Sequence, residues 1–189
     1  MFKFETKRLI IRDMSQKDKS AFVAMSQDAK YQRFYDESDC DPSKYRELTD
    51  LFIVQASEKP RKSYQLAVEC KVSGKFVGTV CLRLEDNQQA SIGCAFSRAS
   101  QSDKLSYEAA LALADFGFSE LGVHRIYAKT ISKNLPAIKL CKSLGMRQEA
   151  HFREHRFFKG QWWDTVIWAV LRTEWQDTAK LKERIAVHK

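Results

Sequence analysis

The stretch "SIGCAFSRASQSDKLSYEAALALADFGFSELGVHRIYAKT" (Ser91–Thr130) decides the fold, because it changes periodicity twice. It opens as an extended run. From Lys104 the pattern becomes helical, with Leu105, Ala109, Ala112, Leu113 and Phe116 on one face. Gly122 follows the last periodic residue, where a glycine cap belongs. "HRIYAKTI" then reads as a strand again. Strand, helix, strand is a crossover.

Outward from this crossover the elements alternate in type. Upstream, "RLIIRDM" is a short β-branched strand. "SQKDKSAFVAMSQD" reads as a helix capped by Ser15, carrying Phe22, Val23 and Met25. "PSKYRELTDLFIVQASEK" starts a second helix near Pro42, with Leu48, Leu51, Phe52 and Val54 on one side. Three extended runs, "SYQLAVECKV", "GKFVGTVCLRLE" and "QQASIGCAFS", are joined by a Ser-Gly turn and by Asp86-Asn87, as antiparallel hairpins would be. Downstream, "NLPAIKLCKSLG" is a short helix from Asn134 to Gly145, and two strands flank Lys159-Gly160. The expected class is mixed α+β: a mostly antiparallel central sheet of about six or seven strands, flanked by about four helices. Residues 1–175 read as one domain and 176–189 as a basic helical tail.

The composition fits a soluble globular chain. Its 189 residues suffice for a sizeable core, and 44% are hydrophobic. No apolar run reaches the ~18 residues that span a bilayer, and the N-terminus lacks the apolar core of a secretory signal. A cytoplasmic location without membrane association is the expectation. Cys40, Cys70, Cys81, Cys94 and Cys141 are odd in number and widely spaced, which argues against a disulfide framework or a metal site. A net charge of +8 favours anionic partners; nucleic acid, a ribosome surface and a phosphorylated cofactor all fit.

A strand that turns into a helix aims backbone N–H groups and the positive end of the helix dipole at one point, which makes an anion site. Four strings in this order, "ETKRLIIRD", "SIGCAF", "FGFSELGVHRIYAKTISKNLPAIKLCKSLGMRQEA" and "FFKGQWWDTVIWAVLRTEW", resemble the GCN5-related N-acetyltransferase (GNAT) superfamily. The likeness runs from about Glu5 to Trp175 and is greatest to the ribosomal-protein N-terminal (alanine/serine) acetyltransferases. It implies acetyl-CoA as cosubstrate, no metal, and a primary amine as acceptor: a protein N-terminus, a polyamine or an amine-bearing small molecule. Nucleic acid is then expected only as the neighbour of a ribosomal target, and the protein as a monomer or homodimer.

The resemblance also implies site residues. Gln101, Ser102, Asp103, Lys104, Leu105 and Ser106 match the pyrophosphate turn, with Lys104 where the family has a glycine. Such a turn can do without glycine if every φ stays negative. Ala95 and Phe96 match the strand along which pantetheine lies, on strands expected to splay. Asn134 matches a cofactor contact and equally reads as a helix cap. Cys141 stands at the family's proton-donor position and equally reads as packing. Ser91 occupies the place of a catalytic glutamate. Glu149 and His151 are expected on one face of their strand and Glu154 on the other; His151, with its ordinary pKa near neutrality, is the candidate base. Tyr35, Asp36 and Glu37 match the acceptor side, and also read as a solvated, helix-capping acidic loop. Lys104, Ser91 and Cys141 together leave open a second reading, a non-catalytic binding module with a degenerate turn. A third, nucleic-acid binding, rests on charge alone.

Overall fold

The computed structural model of the chain describes residues 1–100 and 104–175. In chain order the elements are β1 (Lys3–Glu5), β2 (Leu9–Asp13), α1 (Lys19–Ser26), α2 (Ala29–Gln32), α3 (Pro42–Gln55), β3 (Ser63–Cys70), β4 (Phe76–Glu85), β5 (Gln89–Phe96), α4 (Leu105–Ser119), β6 (Arg125–Ile131), α5 (Leu135–Ser143), β7 (Arg147–Phe158) and β8 (Gln161–Leu171). The strands form one sheet in the order β1-β2-β3-β4-β5-β6-β8-β7. The mixed α+β class holds. The sheet has eight strands rather than six or seven, because Lys3–Glu5 adds a short strand on Ile10–Arg12. Three residues are too few to show alternation in a sequence. α2 is likewise a single turn, started by the Asp28 carboxylate accepting from the N–H groups of Lys30 and Tyr31. The expected basic tail, 176–189, lies outside the described residues. Among those residues no helix is long and apolar enough to cross a membrane.

The expected hairpins are present. Asn87 and Gln88 both take positive φ between β4 and β5, one residue beyond the expected turn, and Lys159-Gly160 do so between β7 and β8. Two successive left-handed residues match the twist of the flanking strands.

The main core lies between α4 and the sheet. Leu105, Ala109, Ala110, Leu113, Ala114 and Phe118 of the helix are buried against Val80, Leu82, Ile92 and Ile126. Small residues bring this helix close. At Gly117 a Cβ would come within 2.9 Å of Leu82 Cδ2 and 3.1 Å of Ile126 Cδ1. Phe116, expected on the core face, packs at the edge of this core in an aromatic group with Phe2, Phe4 and Tyr64. The opposite face of the sheet is covered at one end by α1 and α3, whose Phe22, Met25 and Tyr45 pack with Ala67.

A charged knot ties β2 to the start of α1. Arg12 makes a two-pronged bond to Asp18 at 2.8 Å on both arms and reaches Glu69 at 3.0 Å. The Arg12 and Asp18 side chains are only 8% and 3% exposed. Burial alone would raise the Asp18 pKa, but hydrogen bonds from Arg12 and Ser15 outweigh it and hold the carboxyl below its ordinary 3.8. A depressed folded pKa contributes stability above the unfolded value that is lost as pH falls through the folded one. Asp18→Asn is therefore expected to cost about 3 kcal/mol at neutral pH, because it leaves the buried Arg12 under-compensated. Urea unfolding at pH 7 and pH 3 checks this: the difference between the two proteins should shrink at the lower pH.

Candidate active site

The site begins where two strands part. β5 and β6 run parallel and pair only through Gln89–Ser91 with Arg125–Tyr127. Beyond that point β5 stays paired to β4 as far as Phe96, and β6 to β8 as far as Ile131. Each strand is held on its outer side and released on its inner side, so a wedge opens between them. Its walls are 92–96 and 128–131. The wide end leads to the turn before α4 on one side and to the start of α5 on the other. Gly78, opposite Phe96, lets β4 press close to this wall: a Cβ there would sit 2.4 Å from the Ala95 carbonyl oxygen.

The turn is anchored by Ser97, whose N–H donates to Val77 O at 2.9 Å and whose Oγ bonds Ser100 Oγ at 2.9 Å. Gln101, Ser102 and Asp103 lie outside the described residues. Lys104 is the residue before α4, and its φ is +56° with ψ 22°. The expectation of a turn with negative φ throughout is thus corrected. The chain needs a left-handed residue to enter this helix, and a lysine supplies what glycine supplies at less cost. Leu105 and Ser106 already belong to the first turn of α4. Leu105 is only 6% exposed and its side chain is core, so only its backbone is available to a ligand. The first-turn N–H groups point out at the positive end of the helix. Next to the turn lies a pocket of about 360 Å³ lined by Met25, Asp28, Tyr31, Phe96, Ser97 and Arg98, among others.

On the other wall, Asn134 caps α5. Its Oδ1 accepts from Ala137 N–H at 3.4 Å, and its Nδ2 donates to Thr130 Oγ1 at 3.2 Å. The bond to Thr130 ties the helix start to the end of β6. Cys141 is 5% exposed, in the last turn of α5. Burial pushes its thiol up to about 11, so it is protonated at neutral pH. Cys94, on β5, is pushed to about 12 by burial, with the neighbouring Cys81 and Cys141 thiols adding to the effect.

Ser91 sits at the apex, in the last paired position, opposite Tyr127. The Tyr127 hydroxyl donates to Glu85 Oε1 at 2.8 Å. Sequence reasoning missed both Glu85 and Tyr127. Glu85 reads as an ordinary charge at a hairpin end, and only the register of three strands brings it to the apex.

His151 is not brought there. β7 is the outermost strand, two beyond β6, which places it about 10 Å away from that wall. Its Nε2 is bonded to Asp164 Oδ2 at 2.7 Å. The regular alternation expected for Glu149, His151 and Glu154 is also corrected. The pairing of β7 with β8 slips between Gln148 and Ala150 and again between Phe152 and Arg156, and Glu154 has φ +49°. Glu149 pairs with Arg125 instead.

The acceptor loop spans the wide end of the wedge on the face opposite α4. Tyr31 packs with the cluster that includes Ala95 of β5, and Phe34 with Ile131 of β6 and with Trp163. Lys159 Nζ holds the Gln32 carbonyl at 2.6 Å. Tyr35 stacks on Tyr31 at 5.1 Å, and burial raises the pKa of both hydroxyls. Asp36 caps the following turn, accepting from Ser38 N–H and Oγ at 3.0 and 2.9 Å, and those bonds lower its pKa. Glu37 is exposed. Of the three candidates, Tyr35 faces inward, Asp36 does a structural job and Glu37 faces solvent.

The acetyltransferase (GNAT) domain family model matches residues 8–147. The chain belongs to this family and is an acyl-CoA-dependent N-acetyltransferase. It is 26% identical over 171 residues to the uncharacterized N-acetyltransferase YnaD of Bacillus subtilis strain 168, covering 90% of this chain and 97% of that one. Its fold is similar to that of the ribosomal-protein-S5-alanine acetyltransferase of Vibrio fischeri, with TM-score 0.78 and 17% identity over 93% of this chain and 99% of that chain. It is also similar to the spermidine N-acetyltransferase of Vibrio cholerae, solved with CoA and spermine, with TM-score 0.77 and 18% identity over 90% and 99%. The family uses acetyl-CoA, and the wedge fits it: an extended amide arm can lie along the edge of β5 that parts from β6 after Ser91.

Lys104→Gly relieves the left-handed strain and is expected to raise stability by about 0.5–1 kcal/mol in thermal unfolding. Lys104→Ala keeps the strain and should show no such gain.

Proposed function

We propose that this protein moves the acetyl group of acetyl-CoA directly to a primary amine, with the pantetheine arm in the wedge between β5 and β6. One observation carries the reading: the two strands part after Ser91 and Tyr127, and the wide end of the gap meets the N-terminus of a long helix. When bound, acetyl-CoA supplies a thioester carbonyl open to attack by an amine.

The chain's own residues take the remaining roles. Backbone N–H groups around Lys104–Ser106, with Gln101–Asp103 beside them, hold the pyrophosphate; the Lys104 ammonium adds charge. Ala95 and Phe96 line the pantetheine. Asn134 fixes the opposite wall through Thr130. The Cys141 thiol, which burial keeps protonated at neutral pH, serves as the proton donor to the leaving sulfur. Ser91 at the apex orients a water rather than acting as a base. Tyr35 lines the acceptor side, and the acidic residues Asp36 and Glu37 attract a cationic amine. The acceptor is a protein N-terminus, a polyamine or another amine-bearing small molecule; the similarity to a ribosomal-protein-S5-alanine acetyltransferase and to a spermidine N-acetyltransferase supports the first two classes. The five free cysteines support a reducing, cytoplasmic setting.

Isothermal titration with acetyl-CoA, followed by an acetyl-transfer assay on spermidine and on alanine-initiated peptides, tests this reading. Saturating acetyl-CoA at ~100 Kd should add about 2.7 kcal/mol to the folded state. No heat at millimolar ligand would refute the proposed site. Cys141→Ala is expected to lower kcat about tenfold or more while leaving the acetyl-CoA dissociation constant within about twofold. Unchanged kcat would return Cys141 to the core as a packing residue.

A further inference from the structure

The floor of the sheet at the apex of the wedge carries a polar group that the roles above do not use. On the face opposite α4, the strand registers place Glu85 against Gln89, Arg83 against Ser91 and Ser91 against Tyr127. The helices α1 and α3 cover this face at its other end, around Ala67 and Ala95, and at this end Arg83 and Glu85 are exposed. Tyr127 reaches from β6 past β5 to the carboxylate of Glu85 on β4. Among the described residues this hydroxyl is the one hydrogen-bond partner of the Glu85 side chain. Glu85 is exposed.

The guanidinium groups on the same floor are already engaged. Arg125 lies 5.1 Å from the centre of the Tyr127 ring, donates to Gln89 Oε1 at 2.6 Å and pairs with Glu149. Arg83 is held at the Gln65 amide. Arg125 braces the tyrosine ring, and the tyrosine in turn braces the carboxylate. A carboxylate that accepts from one donor has lone pairs left for a further one. At the apex of an acetyl-transfer wedge that donor is an ammonium.

We infer that Glu85, oriented by Tyr127, is the carboxylate that receives the positive charge of the amine acceptor. The inference rests on the reading that the acceptor enters over this face. It assigns Glu85 to binding and Tyr127 to positioning; neither is asked to move a proton.

Calorimetric binding of two ammonium probes, spermidine and alaninamide, tests it with the full chain, with and without coenzyme A. Glu85→Gln keeps the size of the side chain and removes its charge, and both probes should bind about tenfold more weakly, with the affinity for coenzyme A unchanged. Tyr127→Phe should weaken both about threefold. The double variant should be no weaker than Glu85→Gln alone, because a positioning residue has nothing to act on once the charge is gone. A tyrosine with a merely structural role would add its loss to the double variant. If both probes bind Glu85→Gln as tightly as the unaltered protein, or bind the unaltered protein not at all at millimolar concentration, the inference falls. Failure of coenzyme A to bind would count instead against the wedge as its site, and the probe titrations without coenzyme A still decide the role of Glu85.

Discussion

The structure depends on one constraint: β5 and β6 pair for three residues and then part, while each keeps its other neighbour. An unpaired backbone edge inside a sheet is costly unless something satisfies it. Here it persists because both strands are clamped from outside. β6 makes seven paired positions with β8, and β5 makes eight with β4. The gap is therefore a fixed feature of the sheet. The proposed pantetheine arm completes the ladder much as an added strand would.

The clamp has its own supports. α4 lies under the split and must come close to the sheet, which its alanines and Gly117 allow. Gly78 lets β4 follow the wall of the wedge. On the far side the segment 31–40 crosses the wide end, fastened by Phe34 and Lys159. Lys104 is the place where this arrangement is strained. A left-handed lysine before α4 costs about 1 kcal/mol relative to glycine. The strain is compatible with an anion site, because the same backbone bend directs the first N–H groups of the helix outward.

Much of this is legible in the sequence, and what is not has identifiable causes. The change of period from Ser91 to Thr130 announces the crossover, and Asn134 and Gly145 mark the ends of α5 where the structure has them. The short β1 and α2 are too brief to leave a periodic trace. His151 misleads because its chemistry is local while its position is topological: nothing in "RQEAHFREHRFF" says that its strand is the outer one. The two register slips in β7 also erase the alternation on which its assignment to a face relies. Lys104 stands out in the sequence, but its φ is set by how α4 meets the sheet, not by its neighbours in the chain. Glu85 and Tyr127 are 42 residues apart, and only the order β4-β5-β6 makes them a pair.

That dependence on register also explains why the apex makes a robust place for recognition. A slip of one residue between β5 and β6 would turn Tyr127 to the α4 side and bring Ile126 to the open floor. The core forbids it, because Ile126 and Ala90 are both fully buried beneath α4. The apolar residues that hold the sheet together thus determine which face Ser91, Tyr127 and Glu85 occupy. In this reading the acceptor site needs no dedicated scaffold: the core alternation on three adjacent strands sets one face against α4 and leaves the polar remainder pointing at the incoming amine.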